Sequence, residues 1–372
     1  DISEKLKFNS LVGVNFNSMV EQVFMPNLGM ELYYDDEAYN VSSALSNNLY
    51  SFAIYNYINY QRKIGTKQTF QANAGMRINT SKFQYDWGIA KNSHENDEFT
   101  TLQSGTSNLR ELGGNNGNWN RLAFYGNLKY TLVERYGITF NASAENSTRI
   151  GPQALNVMRV SGVPFGLFYG TGLFWRISNE PFLRDLAWID ELKFRVSYGK
   201  SGNDDIGNYD GFNYLQQVHY RNTSGAVPGP LTDESLSFEE SYHFNTGIDF
   251  TTRGNRLSIS ADLFRNRTEN LLIYMVQEFY LGKERIPVND GEIENTGWEA
   301  ALFTRPIETK QFSLDVGFNV SHFSNEVVSI SNDFQITPFQ GGEYISEVGS
   351  SLLSFYGYRY QGVFSTSEEA LE

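Results

Sequence analysis

A chain of 372 residues with 28 Phe, 23 Tyr and only 19% charged residues has room for several domains or for one large β architecture. Its richness in Phe, Tyr, Asn and Gly points to strands and turns and excludes a helical bundle. A net charge of −14 argues against a nucleic-acid partner, which needs a basic face. The lack of cysteine removes disulfides, thiolate metal sites and a Cys nucleophile together.

In chain order, Asp1–Ser10 shows no basic-then-apolar leader pattern. Lys5–Asn17 already alternates, with Leu6, Phe8, Val12, Val14 and Phe16 in one phase and Lys5, Lys7, Asn9, Asn15 and Asn17 in the other. The chain is therefore expected to be a mature fragment or part of a larger protein. The same period of two runs through Leu49–Tyr60, Thr69–Asn79, Arg121–Leu132, Tyr136–Glu145, Leu192–Gly199, Tyr242–Thr251, Arg256–Asn266, Gly297–Arg305 and Phe312–Val320. Phe165–Ile177, aromatic in both phases, is read as a further strand and Leu352–Tyr360 as a last one. One apolar and one polar face per segment, at about the 9–11 residues a tilted strand needs to cross a bilayer, is the pattern of a transmembrane barrel. No stretch offers about 20 consecutive apolar residues for a spanning helix. Ala38–Gln61 is free of charge but loaded with Asn, Ser and Tyr, and Val160–Trp175 is broken by Pro164 and glycines.

The connections alternate. Gln61–Lys67, Val133–Arg135, Thr252–Asn255 and Pro306–Lys310 are tight, and Ser178–Glu191 is intermediate, with a possible helical turn at Glu180-Pro181. Ser18–Asn48, Thr80–Asn120, Asn146–Pro164, Lys200–Ser241, Arg267–Thr296 and Ser324–Ser350 are long and polar. Short turns on one rim and long loops on the other is the layout of an outer-membrane barrel. Tyr60, Tyr130, Tyr136, Phe250 and Phe312 fall at strand ends beside short turns, where an interfacial girdle belongs. On these grounds Phe8, Val14, Leu122, Leu128, Leu314 and Phe318 are expected to face lipid, and Lys7, Asn127, Lys129 and Asp315 the lumen.

No catalytic residue, metal site or cofactor is expected. His94, His219, His243 and His322 share no ligand spacing. Gly199-Lys200-Ser201 lacks the upstream glycine of a phosphate loop. The clusters Asp35-Asp36-Glu37 and Asn203-Asp204-Asp205 lack the alternation of a calcium loop and read as solvated loop tips. The tract Gly113–Asn120 reads as a flexible turn whose Trp119 could stack on a sugar or peptide group or anchor the rim. Tyr209, Phe212, Tyr214, Phe279 and Tyr280, large apolar groups in long polar loops, are candidates for partner contact.

At Ser197–Tyr209 (SYGKSGNDDIGNY) the residues resemble the SusC/RagA-type TonB-dependent transporters of the Bacteroidetes outer membrane. Phe174–Leu183 (FWRISNEPFL), Asp262–Leu272 (DLFRNRTENLL), Asn289–Glu299 (NDGEIENTGWE) and Val348–Phe364 (VGSSLLSFYGYRYQGVF) resemble further blocks of that family in the same order. Asp233–Glu239 (DESLSFE) departs from the family's Asn-Pro-x-Leu-x-Trp-Glu, and Asp290 replaces a usually apolar residue. The Asn289–Glu299 block itself reads as a turn, with Gly291 and Gly297 bending the chain before it re-enters the sheet at Trp298.

The resemblance implies an all-β, transmembrane antiparallel β-barrel of the 22-stranded type with a plugged lumen, this chain supplying about half of the strands. Residues 1–372 are expected to be a partial barrel domain, with the plug, the TonB box and the closing strands outside it. The implied function is TonB-dependent import of a bulky nutrient, a glycan or a peptide, without bond chemistry. The implied partners are a SusD-like surface lipoprotein on the long-loop rim, TonB-ExbB-ExbD through the plug, and outer-membrane lipid. A passive porin-like barrel and a secreted all-β binding protein are the alternatives.

Overall fold

The computed structural model describes residues 5–26, 40–91, 98–183, 186–220, 223–229, 232–276, 285–339, 342–360 and 362–363. Among the described residues, and beside the short strand Met158–Val160 that pairs with Val163–Phe165, eleven long strands form one antiparallel sheet in which each pairs with the next. They are β1 (Leu6–Met25), β2 (Val41–Ile64), β3 (Gln68–Ala90), β4 (Arg110–Leu132), β5 (Tyr136–Ser147), β6 (Val163–Arg176), β7 (Ile189–Asn203), β8 (Glu239–Thr252), β9 (Leu257–Glu269), β10 (Glu292–Glu308) and β11 (Ser313–Ser329). The intervals 65–67, 133–135, 177–188, 253–256 and 309–312 lie on one edge. The longer 26–40, 91–109, 148–162, 204–238 and 270–291 lie on the other. Each of the eleven alternating segments lies on one of these strands, and the sorting of short and long connections holds throughout.

Register welds the segments into two continuous faces. Residues directly opposite in an antiparallel pair point to the same side. One row runs Phe70, Tyr130, Ile138, Leu173, Val196, Thr246, Leu263, Trp298, His322 across β3 to β11. This apolar face also carries Phe8, Val14, Leu122, Leu128, Leu314 and Phe318, and most of these are more than a third exposed. Lys7, Asn127, Lys129 and Asp315 stand in the opposite phase, as expected. Large apolar side chains exposed in unbroken rows fit hydrocarbon, and the ladder satisfies the backbone polar groups that hydrocarbon cannot. Tyr60 packs edge-on against Phe70, and Trp188 against Phe250, beside the short turns. An aromatic belt at the short-turn edge is the expected girdle.

Four expectations change. The strands reach far beyond the apolar band: β2 has 24 residues and β3 has 23. At about 3.3 Å per residue that is more than twice the roughly 30 Å of a hydrocarbon core. Much of the sequence read as long loops, Thr80–Asn120 above all, therefore continues the ladder above the membrane, because the backbone still gains by pairing where the apolar pattern stops.

Second, Gly113–Asn120 is strand, not a flexible turn. It pairs with β3 so that Trp87 lies opposite Gly113 and Phe83 opposite Gly117, each large ring covering the space a glycine leaves. Third, β10 begins at Glu292. Gly291 makes the turn with φ +86°, whereas Gly297 sits inside the strand opposite Phe264, whose ring lies 2.5 Å from where a Cβ would be. Fourth, Leu352–Tyr360 adds no wall strand. Reciprocal bonds between Val327 and the 349–350 turn direct it into a small sheet in which Ser354–Tyr356 pairs with Gly342–Glu347, itself paired with Phe334–Phe339.

Because Leu128 points outward with Ala72 and Phe140 as its cross-strand neighbours, Leu128→Arg should cost roughly 2–4 kcal/mol near the bilayer midplane. The adjacent Asn127→Arg should cost far less. Urea unfolding of the full protein in liposomes checks this, and equal losses would overturn the face assignment.

Candidate functional site

The polar face has a row as continuous as the apolar one. Asn59, Asn73, Asn127, Asn141, Gly170, Gly199, His243, Asn266, Asn295 and Asn325 stand in direct register on ten consecutive strands. Neighbours in the row bond to one another. Asn127 donates to Asn141, Asn325 donates to Asn295 at 2.7 Å, and His243 shares its two ring nitrogens between Ser201 at 2.8 Å and Asn266 at 3.0 Å. Each strand supplies a single residue, so nothing in the linear sequence displays the row. An Asn recurring in the polar phase of successive segments is the one signal of it.

Two ion-pair clusters flank this row. Nearer the short turns, Arg195 on β7 donates two parallel bonds to Asp262 on β9 at 2.8 and 2.7 Å. Its Nε donates to Asp249 on β8 at 2.9 Å. Gly247 lies directly opposite both Arg195 and Asp262, and a Cβ there would come within 3.0 Å of the guanidinium carbon. The glycine leaves room for the arginine to reach across a whole strand. Lys193 completes the group at 3.3 Å from Asp249.

Toward the long loops, Arg77 pairs with Glu145 at 3.2 Å and Arg121 bonds to Asp204. Trp119 lies against both the Arg121 and Arg149 guanidinium groups, 5.5 and 5.0 Å from its ring centroid. Arg149 also donates to Asn208 at 2.9 Å and pairs with Asp205 at 3.3 Å. The loops thus fold over the polar face. A small core of Ile150, Ala154 and Phe238 forms there, with Phe168 of β6 packed against it. A cavity of about 500 Å³ opens between wall and loops, lined by Arg77, Arg121, Tyr125, Asn127, Ser143, Glu145 and Phe238 among others. Cations held beside carboxylates and amides make this part of the wall a polar, hydrogen-bonding surface.

The expected site residues divide. Tyr209 donates to the Asn118 side chain at 3.0 Å and packs 6.0 Å from Tyr214. Phe212 is half-buried in the same loop, whose backbone closes from Phe212 onto Tyr209. Phe279 and Tyr280 lie outside the described residues, as do Asp35–Glu37 and His94. Asp204 is no solvated tip: it is 3% exposed because Arg121 neutralises it. Arg77, Arg121, Arg149 and Glu145 were not singled out from sequence. Charged residues in the polar phase of a strand are the signal that marks Arg77, Arg121 and Glu145; Arg149 lies in the loop past β5.

The short-turn edge is organised by Glu180, which accepts bonds from Tyr136, from Trp175 Nε1 at 3.1 Å and from Arg135 at 3.2 Å. The Tyr136 and Trp175 bonds hold its carboxyl below the usual range. Among the described residues no group of His, Asp and Glu could hold a metal ion.

A family profile described as "TonB dependent receptor-like, beta-barrel" matches residues 12–368. The chain is 28% identical over 98% of its length to TonB-dependent receptor P39 of Formosa agariphila, covering 34% of that protein. It is 27% identical over 68% of its length to TonB-dependent receptor SusC of Bacteroides thetaiotaomicron, covering 26% of it. It thus spans about a third or less of these relatives. The solved RagAB peptide transporter superposes with TM-score 0.76 at 22% identity, over 94% of this chain and 38% of that one, a likeness of fold.

Outside the membrane, the Tyr274 hydroxyl donates to Asp210 at 2.7 Å and ties the hairpin Leu272–Val276/Arg285–Asn289 to the 204–214 loop. Burial, then Asp210, raises its pKa from 10.0 to about 12. A raised pKa stabilises the protonated phenol, so this tie is intact below pH 10 and is lost as pH rises to about 12. A spectrophotometric tyrosine titration should lose a component ionising near pH 12 in Tyr274→Phe, and Asp210→Asn should shift that component down. A titration unchanged by both substitutions would show that the tie is not made.

Proposed function

This chain belongs to the TonB-dependent receptor-like β-barrel family of the outer membrane, and we propose that the whole protein imports a bulky polar nutrient, a glycan or a peptide, at the expense of TonB-transmitted energy. Residues 1–372 form part of the barrel wall and the long-loop rim. A plug with its TonB box and the closing strands belong to other parts of the protein. The family's class is that of receptors and transporters, and this segment does no bond chemistry.

The observation that carries the reading is the polar face itself. An asparagine-rich row crosses ten strands, seven of which supply an Asn, ion-pair clusters flank it, and loops fold over its upper end. Such a surface offers many weak, exchangeable hydrogen bonds to a hydroxyl- or amide-rich cargo. Arg77 Nε and Asp204 Oδ2 are buried without a hydrogen-bond partner, and both border the region where the loops meet the wall. A SusD-like lipoprotein caps the long-loop rim, with Tyr209 and Tyr214, 42% and 38% exposed, among its contacts. Trp119 is the cargo-facing aromatic.

Uptake of a labelled oligosaccharide or peptide mixture, compared in wild-type cells and cells lacking TonB, tests the function. Uptake should vanish without TonB, and persistence would substitute a passive porin. His243→Ala and His322→Ala should leave uptake within about threefold of wild type, since neither residue has a nucleophile–base or metal role. Loss of uptake with the barrel still assembled would reveal missed chemistry. A photocrosslinker at Tyr214 should capture a surface lipoprotein, and capture of lipid alone would count against the capped rim.

A further inference from the structure

Where the long loops meet the polar face, one arginine stands between two carboxylates. Arg77, Ala123 and Glu145 lie in direct register on β3, β4 and β5, and the small Ala123 lets Arg77 reach across β4 to Glu145 Oε2 at 3.2 Å. Arg121, two residues along β4 from Ala123, holds Nη1 4.0 Å from that same oxygen. Its Nη2 bonds instead to Asp204, the first residue past β7 and the start of a strap over residues 204–214. Glu145 belongs to the wall and Asp204 to the loop, and Arg121 is within reach of both.

The docked strap is held by opposing effects. Burial of Ile206, 7% exposed, favours docking. Against it, Asp204 keeps only 4% of its side chain exposed. Among the described residues its Oδ2 and the Arg121 Nε are buried without a hydrogen-bond partner, and such atoms lose their hydration with no bond to replace it. A second tie to the wall, from Tyr209 to Asn118, is exposed. Arg149, which bonds Asn208 and the Asp204 C=O, comes from a neighbouring loop, and its pair with Asp205, 86% exposed, adds little. The cavity lined by Arg77, Arg121 and Glu145 reaches Ser201 and Gly202, where the chain leaves β7 for the strap.

We propose that the strap is a lid on this cavity and that Arg121 is the switch that holds it down or releases it. With Nη2 on Asp204 the lid is down. When Arg121 closes the 4.0 Å separation from Glu145, it draws away from Asp204, whose carboxylate regains water as the strap lifts. Arg77 sets the balance, because it competes with Arg121 for the one Glu145 oxygen. A ligand or variant that favours either pairing shifts the lid by that difference alone. The switch rests on the geometry of wall and loop and not on the import reading, so its test is made without transport.

Residues 1–372 contain no cysteine, so Ile206→Cys places a single thiol of this segment at a buried position of the strap. Its rate of labelling by a maleimide, in the full-length receptor in detergent and against the receptor without that thiol, reads how often the lid lifts. In this background Asp204→Asn should speed labelling about tenfold, since the loop loses its charged hold on Arg121. Arg77→Gln, which bonds to no strap residue, frees Glu145 for Arg121 and should speed labelling about threefold. Glu145→Gln withdraws the rival carboxylate and should slow it about threefold. Each variant is scored only where it still migrates as a folded barrel, and the two wall variants test the switch even where Asp204→Asn does not assemble. Labelling as fast or faster in Glu145→Gln would show that Glu145 merely supports Arg121 and would overturn the switch. A rate unmoved by Arg77→Gln would overturn it as well.

Discussion

The constraint on which everything else depends is the hydrogen-bond register of the sheet. A strand in hydrocarbon has no water to satisfy its backbone, so every N–H and C=O must find a neighbouring strand. Because side chains alternate, a slip of one residue at any of the strand interfaces would invert every face beyond it. The rows show that no such slip occurs across β3 to β11. Phe70 leads strand by strand to His322 on one face, and Asn59 leads to Asn325 on the other. The bulges recorded at Thr251/Thr252 and between Thr304 and Ile307 lie at the short-turn edge, where a disturbance no longer propagates through the membrane band.

What could be read without coordinates follows from this. Strand existence and facing were legible because hydrocarbon enforces the alternation in each segment separately: Phe8, Val12 and Val14 announce their face without reference to any partner. The sorting of turns was legible because connection length is a local property. Strand ends were not. Above the apolar band nothing penalises a polar residue on the outward face, so Thr80–Ala90 and Arg110–Asn120 lose their periodic signature while keeping their ladder. Nor were the ion pairs. Arg121 and Asp204 lie 83 residues apart and Arg195 and Asp262 lie 67 apart, and only the register brings each pair together.

The blocks that carry the family resemblance acquire a physical meaning in the fold. Trp175, Arg176 and Glu180 knit the short turn after β6, where Arg176 pairs with Glu191 at 3.3 Å. Asn203 to Asn208 form the stretch that Arg121 and Arg149 hold against the polar face. Asn289 bonds both the N–H and the C=O of Ser237, tying two long loops together. These are residues of turns and of loop docking. A motif built from them fixes where the loops sit.

The two faces answer to different rules. On the polar face, neutral amides stand in series and charges are neutralised by near neighbours. On the outward face, Arg265 pairs with the deeper Glu294, whereas Arg267 is shared between the deeper Glu292 and Glu269, which is nearly as exposed as it is. The same ion pair is thus a neutral wall element when both partners are equally covered, as with Lys193 and Asp249 at 26% and 25% exposure. It becomes an exposed cation above a covered anion when the carboxylate is recessed, as with Arg265 over Glu294. Relative depth, which register and strand tilt set together, decides which of the two a charged pair becomes.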